Sequence, residues 1–165
     1  MDEDDSIHAY TDGSCSRRNG EFPGGWAFIA IHGAREFIRY GYKFPTTVNE
    51  MELTAILRVL EFVRITKHPL IIYTDSEYSK NSLMKWCRGW AAQGWVTATG
   101  TPVKNKELIA EIVELLDKHR KVRNVNIVWI RGHSGNLKNE QADKYAGQAR
   151  EDKSTNWTEK DASRV

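Results

Sequence analysis

The apolar residues of this chain first change period near Asn49, and that change restricts the fold more than any other feature. Before it, side chains alternate. Residues 7–11 set Ile7, Ala9 and Thr11 against His8, Tyr10 and Asp12, residues 26–32 are aromatic and β-branched, and residues 36–42 continue after Gly33. Alternation places successive side chains on opposite faces of a strand. Residues 14–25, with Arg17, Arg18, Asn19, Gly20, Pro23, Gly24 and Gly25, are predicted as a turn, so three strands form an antiparallel meander. After Asn49 the period lengthens to that of a helix, carried by Met51, Ala55, Leu57, Val59, Leu60, Phe62 and Val63 and ended before Pro69. Residues 70–74 are an apolar run of the kind expected in a central strand buried on both faces.

The remaining segments alternate between the two periods. A helix is predicted over 76–88, an interruption over 91–103, a helix over 104–120 and a strand over 125–130. A glycine-containing loop over 131–138 and a helix over 139–150 follow. The order βββ-α-β-α-α-β-α specifies an α/β fold, a mixed sheet with helices packed on it. The 165 residues suit one domain, placed at 6–150, with an acidic extension at 1–5 and a polar, flexible tail at 151–165.

Charge is distributed unevenly. The whole chain has 24 Lys and Arg against 22 Asp and Glu, a net of +2. Residues 6–150 alone hold 21 bases and 14 acids, a net of +7, a balance that permits a polyanion partner. No apolar run is long enough to span a membrane, and the acidic start MDEDDS is unlike a secretion signal. Cys15 and Cys87 make neither a disulfide scaffold nor a zinc pair, which points to the cytoplasm or another reducing compartment. Ser14, Ser134, His8, His32, His68 and His119 form no hydrolase triad or zinc-protease spacing, and neither a phosphate loop nor a dinucleotide fingerprint is present.

Four acids fall where elements begin or end. Asp12 closes the first strand in Tyr-Thr-Asp-Gly-Ser-Cys, Glu52 lies in the first turn of the long helix, Asp75 follows the apolar strand, and Asp143 begins the last helix. Each has an ordinary explanation by itself: Glu52 and Asp143 complement a helix dipole, and Asp75 caps a helix. Together they imply more. Carboxylates gathered at the end of an apolar sheet repel one another unless a cation sits among them. A donor set made only of oxygen favours Mg²⁺ or Mn²⁺.

YTDGSC, NEMEL, YTDSEY and RGHSG…NEQAD, in this order and on this topology, closely resemble the type 1 ribonuclease H family over residues 7–150. The resemblance implies a ribonuclease H-like fold with a five-stranded mixed sheet, three strands antiparallel and then two parallel. It implies an endonuclease that cuts the RNA strand of RNA–DNA hybrids with two Mg²⁺ ions, Mn²⁺ being a substitute, and leaves 5′-phosphate and 3′-hydroxyl ends. The matching ligands are Asp12, Glu52, Asp75 and Asp143, with Asp12 expected to bridge the ions. One ion, on Asp12 and Asp143, activates water; the other, on Asp12, Glu52 and Asp75, steadies the departing oxygen. His133, on its glycine-bounded loop, matches a residue that assists proton transfer and product release.

The same resemblance assigns substrate contacts. Gly13, Ser14 and Cys15 face the RNA backbone, Asn49 faces the minor groove, and Glu77 stands where many relatives carry Gln. Thr47 and Asn105 match a grip on a DNA phosphate, with Pro45 where many relatives carry Arg. Trp86 matches a residue that packs on a deoxyribose; by itself it also reads as a core aromatic. With Trp90 and Trp95 it lies in a segment, 86–105, that resembles the family's basic protrusion, here diluted to the flanking Lys85, Arg88, Lys104 and Lys106. A free-standing monomer is expected. The competing readings are the nuclease domain of a reverse transcriptase, an integrase-like enzyme, and a hybrid-binding module without catalysis. The loop of His133 and the protrusion oppose the integrase type, the chain's beginning and end oppose a polymerase fragment, and the four intact acids oppose a non-catalytic module.

Overall fold

The computed structural model describes residues 5–17, 22–97, 99–132 and 134–165. Residues 1–4 of the acidic extension, Arg18, Asn19, Gly20 and Glu21 of the expected turn, Ala98 of the protrusion, and His133 lie outside them. The strands are β1 (Ile7–Cys15), β2 (Gly24–His32), β3 (Arg35–Lys43), β4 (Leu70–Thr74) and β5 (Val125–Trp129). They form one sheet in the order β3-β2-β1-β4-β5, antiparallel from β3 to β1 and parallel from β1 to β5. The helices are α1 (Val48–Phe62), α2 (Glu77–Asn81), α3 (Cys87–Ala92), α4 (Lys106–Arg120) and α5 (Leu137–Asp152). Helix α1 packs on β1 and β2 from one side, backed by α4, while α5 lies along β1, β2 and β3. The core consists of Phe28, Met51, Leu53, Ile56, Leu60, Phe62, Ile72, Ile109 and Ile112 and their neighbours. No helix among the described residues is long and apolar enough to cross a membrane.

Four expectations need correction. The predicted turn at 14–25 is shorter, because Ser14 pairs with Gly25 and Cys15 with Gly24. A Cβ at Gly25 would overlap the Ala146 carbonyl and crowd the Arg150 amide, so this glycine lets α5 approach the sheet. Strand β4 is buried on one face only: Leu70, Ile72 and Thr74 are buried, while Ile71 and Tyr73 are half-buried, since α5 covers β1–β3 and leaves this side of β4 partly open. The helix predicted over 76–88 runs to Ala92 through a π-helical turn at Ser82–Trp86. That wider turn carries Met84, Lys85 and Trp86 at the surface, so Trp86, 38% exposed, is not a core residue.

The fourth correction concerns residues 151–165, which are packed on the body. Asn156 exchanges hydrogen bonds with Tyr40 across the free edge of β3, accepting at 2.7 Å and donating at 3.0 Å, and Thr155 accepts from the Tyr42 amide at 2.9 Å. An uncovered edge strand invites intermolecular pairing, and this segment blunts it. Trp157 packs edge-on against Trp26 and Phe28 and tilted against Phe62. Arg39 donates to Asp161 at 3.0 Å; against the effect of burial, the Thr158 amide and then Arg39 hold that carboxyl below the usual range. Beyond it, the amides of Arg164 and Val165 donate to the Phe62 carbonyl.

Replacing Trp157 by Ala is expected to lower unfolding stability by roughly 3 kcal/mol in urea titration, the lower end for removing a large packed aromatic; no change would mean an unpacked tail. Asp161→Asn tests the ion pair. An acid with a lowered folded pKa stabilises above its unfolded value of 3.8 and loses that contribution as pH falls through the lower folded value. The deficit of the variant should therefore be full at neutral pH and shrink below that value.

Candidate metal centre

Pairing between β1 and β4 stops at Tyr10 and Tyr73, whose rings stack at 4.4 Å, and both strands continue beyond it. Asp12 and Asp75 stand just past this last pair. Helix α1 starts at a capped turn, with the Thr47 hydroxyl accepting from the Glu50 amide, and delivers Glu52 one turn inward. A Cβ at Gly13 would overlap the backbone of Met51 and Glu52, so this glycine permits the close approach of β1 and α1. Its amide donates to Asp12 Oδ1 at 2.9 Å and to Glu52 Oε1.

The result is a cluster in which Asp12, Glu52 and Asp75 each offer an oxygen within 4.8 Å of the others. Asp12 and Glu52 are buried, 3% and 4% exposed, and Asp75 is partly so. Asp143, exposed on α5, also meets Asp12. Glu52 and Asp143 sit later in their helices than expected: α1 begins at Val48 and α5 at Leu137, where Asn136 caps the Asn139 amide. The dipole explanation for these two acids therefore weakens, because that effect fades beyond the first turn.

Among the described residues Asp12 Oδ2 is buried without a hydrogen-bond partner. The side chains acting on it are the carboxylates of Glu52, Asp75 and Asp143, and a proton or a cation would satisfy it. Burial, then Glu52, Asp75 and Asp143, push the Asp12 carboxyl up to about 12. Burial likewise pushes Glu52 up to about 7, with the Asp75 charge adding and the bonds from Asp12, Gly13 and Thr74 opposing. An all-oxygen cluster that holds protons so tightly without metal suits a hard divalent cation.

Several supporting residues were not singled out in the sequence. Gly132 lies against Asp75, where a Cβ would stand 3.0 Å from Oδ2, and this seats the base of the following loop beside the carboxylates. The Trp129 indole donates to the Asp75 carbonyl at 3.1 Å, and the Thr74 hydroxyl, 3.5 Å from Glu52 Oε2, accepts from the Ser76 amide. Gly132 and Thr74 stand within quoted motifs; Trp129 is legible only as a strand residue.

The other candidate residues surround this centre unequally. Ser14 accepts from Arg150, and Cys15, its thiol pushed up by burial, donates to the Thr46 carbonyl at 3.6 Å. Asn49 is the second residue of α1 and Glu77 the exposed first residue of α2. Asn105 takes a left-handed conformation at the head of α4 and donates to Tyr78, whose hydroxyl donates to the carbonyl of Lys104. Asn105 and Lys106 share a cavity of about 380 Å³ with Glu50, an acid held ionised by Lys43 and Thr46 against burial. Trp86 stacks obliquely on Trp90, which packs against the core.

Comparison with known proteins gives a consistent result. Residues 4–151 match the RNase H family model. The chain is 42% identical over 144 residues to a ribonuclease H of Aromatoleum aromaticum, covering 86% of this chain and 88% of that one. It is 39% identical to a ribonuclease H of Neisseria gonorrhoeae, covering 87% and 94%. Among solved structures, LC9-RNase H1, a type 1 RNase H with the type 2 active-site motif, superposes with a TM-score of 0.77 at 26% identity, covering 94% of this chain and 77% of that one. A foamy viral protease-reverse transcriptase in complex with RNA/DNA hybrid shares the fold, with a TM-score of 0.72 at 20% identity over 89% of this chain and 20% of that one.

The raised carboxyls predict the metal-free stability profile. An acid whose folded pKa lies above its unfolded value binds more protons when folded, so stability falls as pH rises between the two. For Glu52 that window runs from 4.5 to about 7, and for Asp12 from 3.8 to about 12. The melting temperature without metal should fall across the first window, and Asp12→Asn should raise it by several degrees at neutral pH. A lower melting temperature for Asp12→Asn would contradict the crowding of charge.

Proposed function

The chain belongs to the type 1 ribonuclease H family, and we propose that it hydrolyses the RNA strand of RNA–DNA hybrids using two Mg²⁺ ions, leaving 5′-phosphate and 3′-hydroxyl ends. The observation that carries this reading is the buried Asp12 oxygen without a donor, ringed by Glu52, Asp75 and Asp143. When bound, the ions supply a nucleophilic water at neutral pH and offset charge on the leaving 3′-oxygen. Asp12, Glu52, Asp75 and Asp143 would hold the ions, Asp12 being the acid that the other three approach. A binding module without catalysis has no need of such a cluster, and all four acids are in place.

The remaining residues hold the substrate. Gly13, Ser14 and Cys15 continue β1 directly from Asp12 and meet the RNA backbone; Asn49 and Glu77, at the heads of α1 and α2, meet the minor groove, where 2′-hydroxyls distinguish RNA from DNA. Glu77 accepts a bond from a hydroxyl and donates none. Thr47 and Asn105 hold a DNA phosphate, Trp86 and Trp90 present an aromatic surface to deoxyribose, and Lys104 adds charge. His133 acts in proton transfer and product release from a loop that begins beside Asp75. Burial of Asp12 in its protonated form without metal means that loading the centre releases protons, so metal affinity should rise with pH.

The test is a hybrid labelled on each strand in turn. Cuts should require Mg²⁺, cease with EDTA and fall only in the RNA, with ends that carry 5′-phosphate. Asp12→Asn should abolish cleavage while hybrid binding remains measurable, whereas His133→Ala should lower turnover by a much smaller factor. Normal turnover in Asp12→Asn, or equal losses in the two variants, would overturn the assigned roles.

A further inference from the structure

Asp143, Gly147 and Arg150 follow one another along a single face of α5. Asp143 meets Asp12 at one end of this row. Arg150, about 10.5 Å further along the axis, donates from Nη1 to the Ser14 hydroxyl at the other. Strand β1 supplies the facing wall, since Asp12 and Ser14 are alternate residues on one side of it, about 7 Å apart. Between the two ends lies Gly147, and the space its Cβ would occupy is open. Glycine weakens a helix, and here no tight packing requires it. The row is thus acidic at one end, empty in the middle and basic at the other.

Arg150 is held in place. Gly25 admits the backbone of α5 at this point and Glu151 pairs with Nη2 at 2.9 Å, while Nε is buried with no hydrogen-bond partner among the described residues. Among the described residues one hydrogen on each terminal nitrogen stays uncommitted, and the Ser14 hydroxyl, while accepting from Arg150, can still donate. Two donors and a fixed positive charge side by side suit a phosphate, which guanidinium groups bind through paired hydrogen bonds. Glu151, paired with Nη2, is the local counter-charge.

We propose that Arg150 and Ser14 form a subsite for a phosphate of the RNA strand adjacent to the one that is cut, reached across the gap at Gly147. This rests on the hybrid substrate argued above and adds to it a specific residue. Arg150 binds and positions the strand; it does not join in the chemistry.

The test uses the Asp12→Asn chain, so that the hybrid is bound and not cut. Adding Arg150→Met, which keeps length without charge, should weaken binding roughly tenfold and lower the slope of log affinity against log salt by about one. Arg150→Lys should restore the slope, which a strut that merely braced Ser14 would not do. An unchanged slope in Arg150→Met overturns the subsite while leaving the substrate intact. A chain that binds no hybrid even with Arg150 present overturns both. Should Arg150→Met fail to fold, hybrids with one RNA phosphate at a time replaced by an uncharged methylphosphonate decide the matter: one position beside the cleaved bond should weaken binding, and that penalty should be smaller in Arg150→Lys. Insensitivity at every such position overturns the proposal.

Discussion

The structure is organised around a repulsion. Three acids offer oxygens within 4.8 Å of one another, two of them buried, and a fourth reaches the same point from α5. Charges this close and this dry repel far more strongly than at a surface, where water weakens them. The scaffold holds them there by packing elsewhere: α1 against β1 and β2, α5 across β1–β3, and an apolar core beneath. The end of pairing at Tyr10 and Tyr73 and the close approach at Gly13 follow from the same need, because the acids must converge from two strands and two helices.

This requirement explains what the sequence revealed. The acids were legible because each lies beside a punctuating residue: Gly13 after Asp12, Ser76 after Asp75, and the NEMEL and NEQAD segments at the heads of helices. The strands were legible because alternation survives in β1–β3. Their ends were not. Gly24 and Gly25 carry the residue type of a turn, yet their lack of a side chain serves packing against other elements, a tertiary fact no local pattern encodes. Helix starts were read late for a similar reason: Thr47 and Asn136 cap the helices, but neither opens an apolar period.

The last residues show the limit more sharply. Composition made 151–165 a solvated tail, and polar residues do fill it. Their partners lie more than a hundred positions away: Tyr40 for Asn156, Arg39 for Asp161, Trp26 and Phe28 for Trp157. Only Trp157, a large apolar side chain in a polar setting, could have signalled that the segment is packed. The need it meets was legible instead at the other end of the chain, where β3 is an edge strand with unpaired backbone groups.

Charge segregation completes the argument. A chain that acts on a polyanion must hold acids for its cations and bases for its substrate, and these cancel if they touch. Here they are kept apart along α5. Asp143 and Arg150 share a face but stand about 10.5 Å apart along the axis, close to the screening length of physiological salt, about 8 Å. At that distance the guanidinium leaves the charge of the acidic cluster largely unneutralised. The net +2 of the chain conceals this arrangement, because a sum over residues discards position. What the sum loses is the order in which the signs occur along one helix face and the strand beside it.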